Sequence, residues 1–182
     1  MQILPFYLLC DESGSMAGSN VDALNDALPK LHDEISTNPT VADKTRFCLI
    51  GFSTEANVLQ PLVDLSDIDE VPALAAGGLT SFGNAFRTLL RCIETDVAAL
   101  KAEGHEVYRP VAFFMSDGVP TDDDWPQAYK ELTESATARR SSRSGWATPR
   151  SPPSPRWRTS VPSSSRTRTC RPPQPCGSSP PA

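Results

Sequence analysis

The chain predicts an α/β fold: a doubly wound, mostly parallel sheet with helices on both faces and one antiparallel edge strand, incomplete at its C-terminus. Three observations predict it. The apolar runs Ile3–Cys10, Arg46–Ser53 and Pro110–Met115 have the length of buried strands and lack the polar alternation of a strand with one wet face. Between them lie two stretches whose apolar residues recur at helical spacing. The first and last runs stop at polar, glycine-containing turns, Asp11-Glu12-Ser13-Gly14-Ser15 and Ser116-Asp117-Gly118.

In chain order, Ser19 and Asn20 are placed to cap a helix from Val21 to Ser36, with Val21, Leu24, Leu28, Leu31 and Ile35 on one face. After the strand Arg46–Ser53, Glu55-Ala56-Asn57 turns the chain into a shorter strand, Val58–Leu62. Pro61 cannot donate to a ladder, which makes that strand an edge. Asp64 to Ala76 is irregular, with one helical turn capped by Asp67 and Glu70. The loop Gly77-Gly78-Leu79-Thr80-Ser81 leads into a long helix from Phe82 to Ala102, and Gly104 ends it. Its stripe of Phe82, Phe86, Leu89, Leu90, Ile93, Val97 and Leu100 is core. Beyond the strand Pro110–Met115, Thr121 is expected to cap a helix beginning near Asp122, with Asp122-Asp123-Asp124 in its first turn, where the helix dipole favours negative charge.

Composition divides the chain at residue 138. Residues 1–138 carry 22 acidic against 8 basic residues, a net of −14, while residues 139–182 carry nine arginines, no Asp, Glu or Lys, and dense Ser and Pro. So few aliphatic residues cannot offset the entropy of ordering, so the second part is read as a disordered tail. It is also read as an out-of-frame translation. If Ser141, Ser142 and Ser144 use TCN codons, reading two bases later turns each into Phe, Leu, Ile or Val, and Trp146-Ala147 yields Gly, the pattern of a further buried strand. The competing reading is a genuine basic arm that binds nucleic acid non-specifically through phosphate charge. With the later strands missing, the run Pro110–Met115 is left as an edge exposing Val111, Phe113 and Phe114.

Cys10, Cys48 and Cys92 fall in apolar strands and on a helix, as free thiols in a reducing compartment do, and Cys170 and Cys176 lack His partners for zinc. No apolar run reaches membrane-spanning length and Met1–Cys10 lacks a basic n-region, so a cytoplasmic protein with no membrane partner is expected.

Strand ends are where open α/β sheets bind ligands. Three separated segments meet there: Asp11, Ser13 and Ser15; Thr80; and Asp117. All are short oxygen-bearing side chains on tight turns, the donors that a hard dication such as Mg²⁺ or Mn²⁺ requires. Other chemistries fit less well. His32 and His105, the only histidines, are read as surface residues without a triad signature, and Ser15 is not in a Gly-x-Ser-x-Gly elbow. Neither Gly-x-Gly-x-x-Gly nor a Walker-type Gly-Lys-Ser/Thr is present. The chain is therefore expected not to be an enzyme. The alternative is a metal-assisted phosphoryl hydrolase using Asp11 and Asp117, for which a general acid and a cationic clamp are lacking.

The pattern resembles the metal-ion-dependent adhesion site of von Willebrand factor A domains. Asp-x-Ser-x-Ser is met by Asp11, Ser13 and Ser15, the later Thr by Thr80, and the final Asp by Asp117. The resemblance implies that Ser13, Ser15 and Thr80 reach the metal directly or through water, with Asp11 and Asp117 often acting through waters. It also implies that an Asp or Glu from a partner protein completes the shell, which makes the protein a metal-dependent interaction module. Leu4 to Met16 is further similar to stand-alone bacterial A-domain proteins of the tellurite-resistance type, which implies a stress-response complex. The likeness covers residues 1–135. Glu12 departs from the smaller residues usual there; its side chain can point away into solvent, and it is assigned no role.

Overall fold

The computed structural model describes residues 1–141; residues 142–182, on which nearly all of the expected tail falls, lie outside the described residues. The elements are β1 (Gln2–Asp11), α1 (Ser19–Ser36), a single helical turn α2 (Pro39–Ala42), β2 (Thr45–Phe52), β3 (Ala56–Asp64), α3 (Phe82–Ala102), β4 (Glu106–Val107), β5 (Val111–Met115) and α4 (Trp125–Ser141). Short 3-10 turns occupy Gly14–Met16 and Leu65–Asp67.

The sheet runs β3-β2-β1, with β4 and β5 both on the far side of β1. β2 and β5 are parallel to β1 and β3 is antiparallel to β2, which makes β3 the antiparallel edge. The fold is thus the mostly parallel α/β sheet that the apolar runs predict. The strand expected at 110–115 has a short companion. Glu106 and Val107 lie beside Gln2 and Ile3, and Val111 to Met115 then pair with Phe6 to Cys10. Pro110, with no N–H for a ladder, separates them.

Side-chain parity builds the two cores. On β1 and β2, Leu8, Cys10, Phe47 and Leu49 face Val21 and Leu28 of α1 together with Leu65, Ile68 and Leu74. Their alternating neighbours Tyr7, Leu9, Cys48, Ile50 and Phe52 face Ala85 and Leu89 of α3. α4 lies on the second face, where the Tyr129 ring meets Phe86 at a tilt and Trp125 meets Phe82 edge-on. Cys10, Cys48 and Cys92 are free thiols, and burial pushes Cys10 up to about 12. Among the described residues no helix is long and apolar enough to cross a membrane.

Three expected caps fall elsewhere. α1 starts at Ser19, so Ser19 and Asn20 lie inside its first turn, and the N-cap is Gly18 at φ 82°, a conformation that favours glycine. The turn at 65–67 is capped by Asp64, not by Asp67 and Glu70: the Asp64 carboxylate accepts the Ser66 N–H at 3.1 Å and its hydroxyl at 2.9 Å. α4 begins at Trp125, not near Asp122, because Pro126 suits the first helical turn and the Asp124 carbonyl accepts the first N–H groups, from Gln127 and Ala128. Thr121 caps nothing. It donates its N–H and its hydroxyl to the Thr80 carbonyl, at 2.8 and 3.0 Å.

Candidate metal centre

Strand register sets the site. Because β1 and β5 are parallel, with Cys10 opposite Met115, Asp11 and Ser116 leave the sheet side by side. Asp11 is fully buried. Its Oδ1 accepts the Ser13 N–H at 2.7 Å and its Oδ2 accepts the Ser116 hydroxyl, so its buried charge is met by donors on both oxygens.

From there the rim is continuous. Ser13 Oγ lies 3.0 Å from Ser15 Oγ, Ser15 Oγ donates to Asp117 Oδ1 at 2.9 Å, and Asn20 Nδ2 donates to Asp117 Oδ2 at 2.7 Å. Thr80 joins through Gly118. A Cβ at Gly118 would stand 3.5 Å from Ser15 Oγ and 3.8 Å from Thr80 Oγ1, so both hydroxyls face one small space beneath a residue without a side chain. The structure therefore brings Asp11, Ser13, Ser15, Thr80 and Asp117 to one rim. Ser13 and Thr80 are buried, and Ser15 and Asp117 are open to solvent.

The loop carrying Thr80 is pinned from behind. Glu12 accepts the Gly77 N–H on its carbonyl at 2.6 Å and the Ala75 N–H on Oε1 at 2.9 Å. Its side chain thus folds back over Gly51, where a Cβ would lie 2.0 Å from Glu12 Oε2, and does not turn away into solvent, so Glu12 has a structural role that the sequence reading did not assign. Gly78, at φ 81°, is pressed against Thr54, whose Oγ1 accepts the Leu79 N–H at 3.0 Å. The hydrogen bond from Ser81 N to Ser53 O, at 2.9 Å, closes the loop onto β2.

Two residues of the region carry work the sequence did not reveal. Asn20 anchors Asp117, and nothing in its local pattern distinguishes that from a cap. Asp122 caps α3, not α4: its carboxylate accepts the N–H groups of Phe82 at 3.0 Å and Gly83 at 2.6 Å and the Ser81 hydroxyl at 3.2 Å. Asp124 pairs with Arg87, whose hydrogen bond holds its carboxyl below the usual carboxylate range.

The histidines stand apart. His32 is half-buried on α1, within 3.0 Å of the Leu65 carbonyl oxygen. His105 lies next to β4, which pairs with the start of β1, so the length of a ten-residue strand, roughly 30 Å, separates it from the rim.

The donor chemistry suits a hard dication. Three hydroxyls and two carboxylates offer only oxygen, and among the described residues no group of three or more His, Cys, Asp or Glu is arranged for a metal. A cation here depends on the Ser and Thr oxygens, which Mg²⁺ and Mn²⁺ accept and softer metals do not favour.

Hydroxyls and carboxylates thus gather at the carboxyl edge of a mostly parallel sheet covered on both faces, the edge where open α/β sheets bind ligands. The chain belongs to the von Willebrand factor type A domain family, whose model matches residues 6–143. No curated protein sequence matches it. Solved structures share the fold. Proximal thread matrix protein 1 from the mussel byssus is 21% identical with a TM-score of 0.54, over 74% of this chain and 36% of that one. The ArnB paralog VWA2 from Sulfolobus acidocaldarius is 20% identical at 0.51, over 72% and 32%. The vWF domain of the type V pili tip protein Mfa5 from Porphyromonas gingivalis is 15% identical at 0.51, over 65% and 38%. The chain spans 15 to 38% of the length of eight such structures, these three among them.

Proposed function

We propose that this chain is a metal-dependent protein-interaction module, in which Asp11, Ser13, Ser15, Thr80 and Asp117 hold Mg²⁺ or Mn²⁺ and a partner protein supplies an Asp or Glu. The observation that carries this reading is the convergence of three separated segments on one space under Gly118. A bound dication would supply residual positive charge, because most of its protein donors are neutral hydroxyls. Asp11, locked by Ser13 and Ser116, fixes the floor, and Asp117, held by Asn20, fixes the outer wall. The free thiols fit a cytoplasmic protein, and by likeness of sequence its setting is a bacterial stress or tellurite-resistance complex.

Phosphoryl hydrolysis at the same rim would need a cationic clamp. No Lys, Arg or His donates a hydrogen bond to Asp11, Ser13, Ser15, Thr80 or Asp117 among the described residues. Phosphatase turnover with Mg²⁺ or Mn²⁺ should therefore be nil.

Calorimetric titration with MgCl₂ tests the reading. It should show one site, lost in Asp11→Ala and in the solvent-facing Ser15→Ala, the latter with an unchanged circular-dichroism spectrum. A bound partner protein should be released by EDTA. Unaltered Mg²⁺ binding in both variants would remove the basis of the proposal.

A further inference from the structure

A pair of thiols lies between the sheet and α3, away from the metal rim. Cys48 comes four residues before Phe52, the β2 residue beside Asp11, so roughly 13 Å of strand separates it from the site. Register and helical spacing bring the two thiols together. Tyr7 of β1 stands opposite Cys48 of β2 and donates its hydroxyl to Asp96 Oδ2 of α3 at 2.9 Å, which pins the helix over these two strands. Cys92 sits one turn before Asp96 on the same helix face and packs against the core cluster that holds Cys48. The two side chains share a thiol-to-thiol hydrogen bond, and both are free cysteines.

They differ in access. Cys48 is 1% exposed, whereas Cys92 is half-buried and shares with it the lining of a cavity of about 210 Å³, bordered by exposed Val58, Pro61, Arg91 and Thr95. A water takes about 30 Å³ in the liquid, so the cavity admits a molecule the size of hydrogen peroxide. The hydrogen bond lowers Cys92 below the ordinary thiol value, with help from the Arg91 guanidinium and against burial and Asp96, and it raises Cys48, as burial does too. The thiolate is the nucleophile, so the reachable sulfur is also the activated one.

We propose that Cys92 and Cys48 form an oxidation site for a hydroperoxide, with Cys92 as the nucleophile and Cys48 as the resolving thiol. The Cys92 thiolate attacks one peroxide oxygen, the O–O bond breaks, and the departing hydroxide takes up the proton that Cys92 had released, giving water and the Cys92 sulfenic acid. The Cys48 sulfur then attacks the Cys92 sulfur, the S–O bond breaks, and the Cys48 proton leaves with the hydroxide as a second water. The thiols give up two electrons, the peroxide accepts them, and the product is a disulfide that ties β2 to α3. The site is independent of the metal reading.

The test uses the full chain, reduced, freed of reductant and treated with a small excess of hydrogen peroxide. Tryptic mapping without reductant should find the peptide 47–87 joined to the peptide 92–101, two hydrogens lighter than the separate pair and parted again by dithiothreitol. Cys10, which faces the other core, should stay reduced, and Cys170 and Cys176 are scored apart because both fall in the peptide 169–182. In Cys48→Ser, whose hydroxyl can still donate to Cys92, the sulfenic acid has no resolving thiol, and dimedone should label Cys92 about tenfold more than in the parent chain. Recovery of Cys48 and Cys92 as free thiols from the oxidised parent chain overturns the proposal, as does linkage of Cys92 to Cys10 or to Cys170 or Cys176 instead; this readout requires no variant to fold. Equal dimedone labelling of the parent chain and Cys48→Ser overturns it as well, because Cys48 would then resolve nothing.

Discussion

Asp117, which shares the rim with Asp11, stands close in sequence to Asp122 and Asp124, and the partners of each pair separate them. Asp122 is bonded to the first two N–H groups of α3 and to the Ser81 hydroxyl, while Asp124 holds Arg87 and opens α4 through its carbonyl. Helix-end N–H groups have no other partner, so pulling Asp122 toward a cation would orphan them. Asp117 is bonded to the Ser15 hydroxyl and the Asn20 amide, and Asp11 to Ser116 as well as to the Ser13 N–H. The hydroxyls of Ser15 and Ser116 rotate and keep lone pairs of their own, so a cation can enter through them while the Ser13 N–H and the Asn20 amide keep the other carboxylate oxygens. What a carboxylate can do is decided by what its donors could do without it.

Replacing one member of each pair is the sharpest way to break the comparison. Asp122→Ala should cost about 2 kcal/mol in urea unfolding, the upper range for a lost N-cap, because the half-buried carboxylate serves three donors. Asp117→Ala, at an exposed position, should change stability by no more than about 0.5 kcal/mol and abolish Mg²⁺ binding. Equal destabilisation by the two would mean that Asp117 is as structural as Asp122.

A smaller effect is expected where the molecule is open. Among the described residues the outer edge of β5 pairs with no strand, and Val111 and Phe113 are 37% and 53% exposed. Such an edge offers unpaired N–H and C=O groups to another chain. Phe113→Lys should reduce concentration-dependent self-association in sedimentation velocity, at a cost of about 1 kcal/mol or less from its contact with Phe6. Identical sedimentation of the variant and the parent chain would show that the edge is not the association surface.

The legibility of the sequence followed the same division. Buried strands announce themselves because both faces must be apolar, so Leu8, Leu9, Leu49 and Ile50 are legible one by one. The rim residues are legible because short oxygen-bearing side chains in glycine turns recur at strand ends. Caps are not, since Asp, Ser and Asn serve equally as cap, first-turn residue or ligand holder, and the choice is made by partners far along the chain. Asp122 finds its amides some forty positions back, at Phe82 and Gly83. Glu12 folds inward because Gly51 leaves room, a coincidence of two strands. β4, of two residues, is too short for any periodicity.

A third kind of carboxylate makes the finest test of the comparison. Asp96 on α3 is half-buried beside the sheet and accepts the Tyr7 hydroxyl at 2.9 Å, with neither helix-end amides nor a rim around it. Burial raises its pKa above the ordinary carboxylate value, against the lowering effect of the Tyr7 hydrogen bond. The folded state therefore binds a proton that the unfolded chain releases earlier. Stability from this group is fully present below the unfolded value, about 4, and is lost as pH rises through the native value. At pH 7 the charge is thus a net cost, and Asp96→Asn, which keeps an oxygen acceptor for Tyr7, should stabilise by up to about 1 kcal/mol in urea unfolding. The gain should shrink toward zero near pH 4, where the parent carboxyl is itself protonated. A variant less stable than the parent at pH 7 would show that the charged acceptor strengthens the Tyr7 bond by more than burial costs. Asp96 would then be held as firmly by its one hydroxyl donor as Asp122 is by its helix amides.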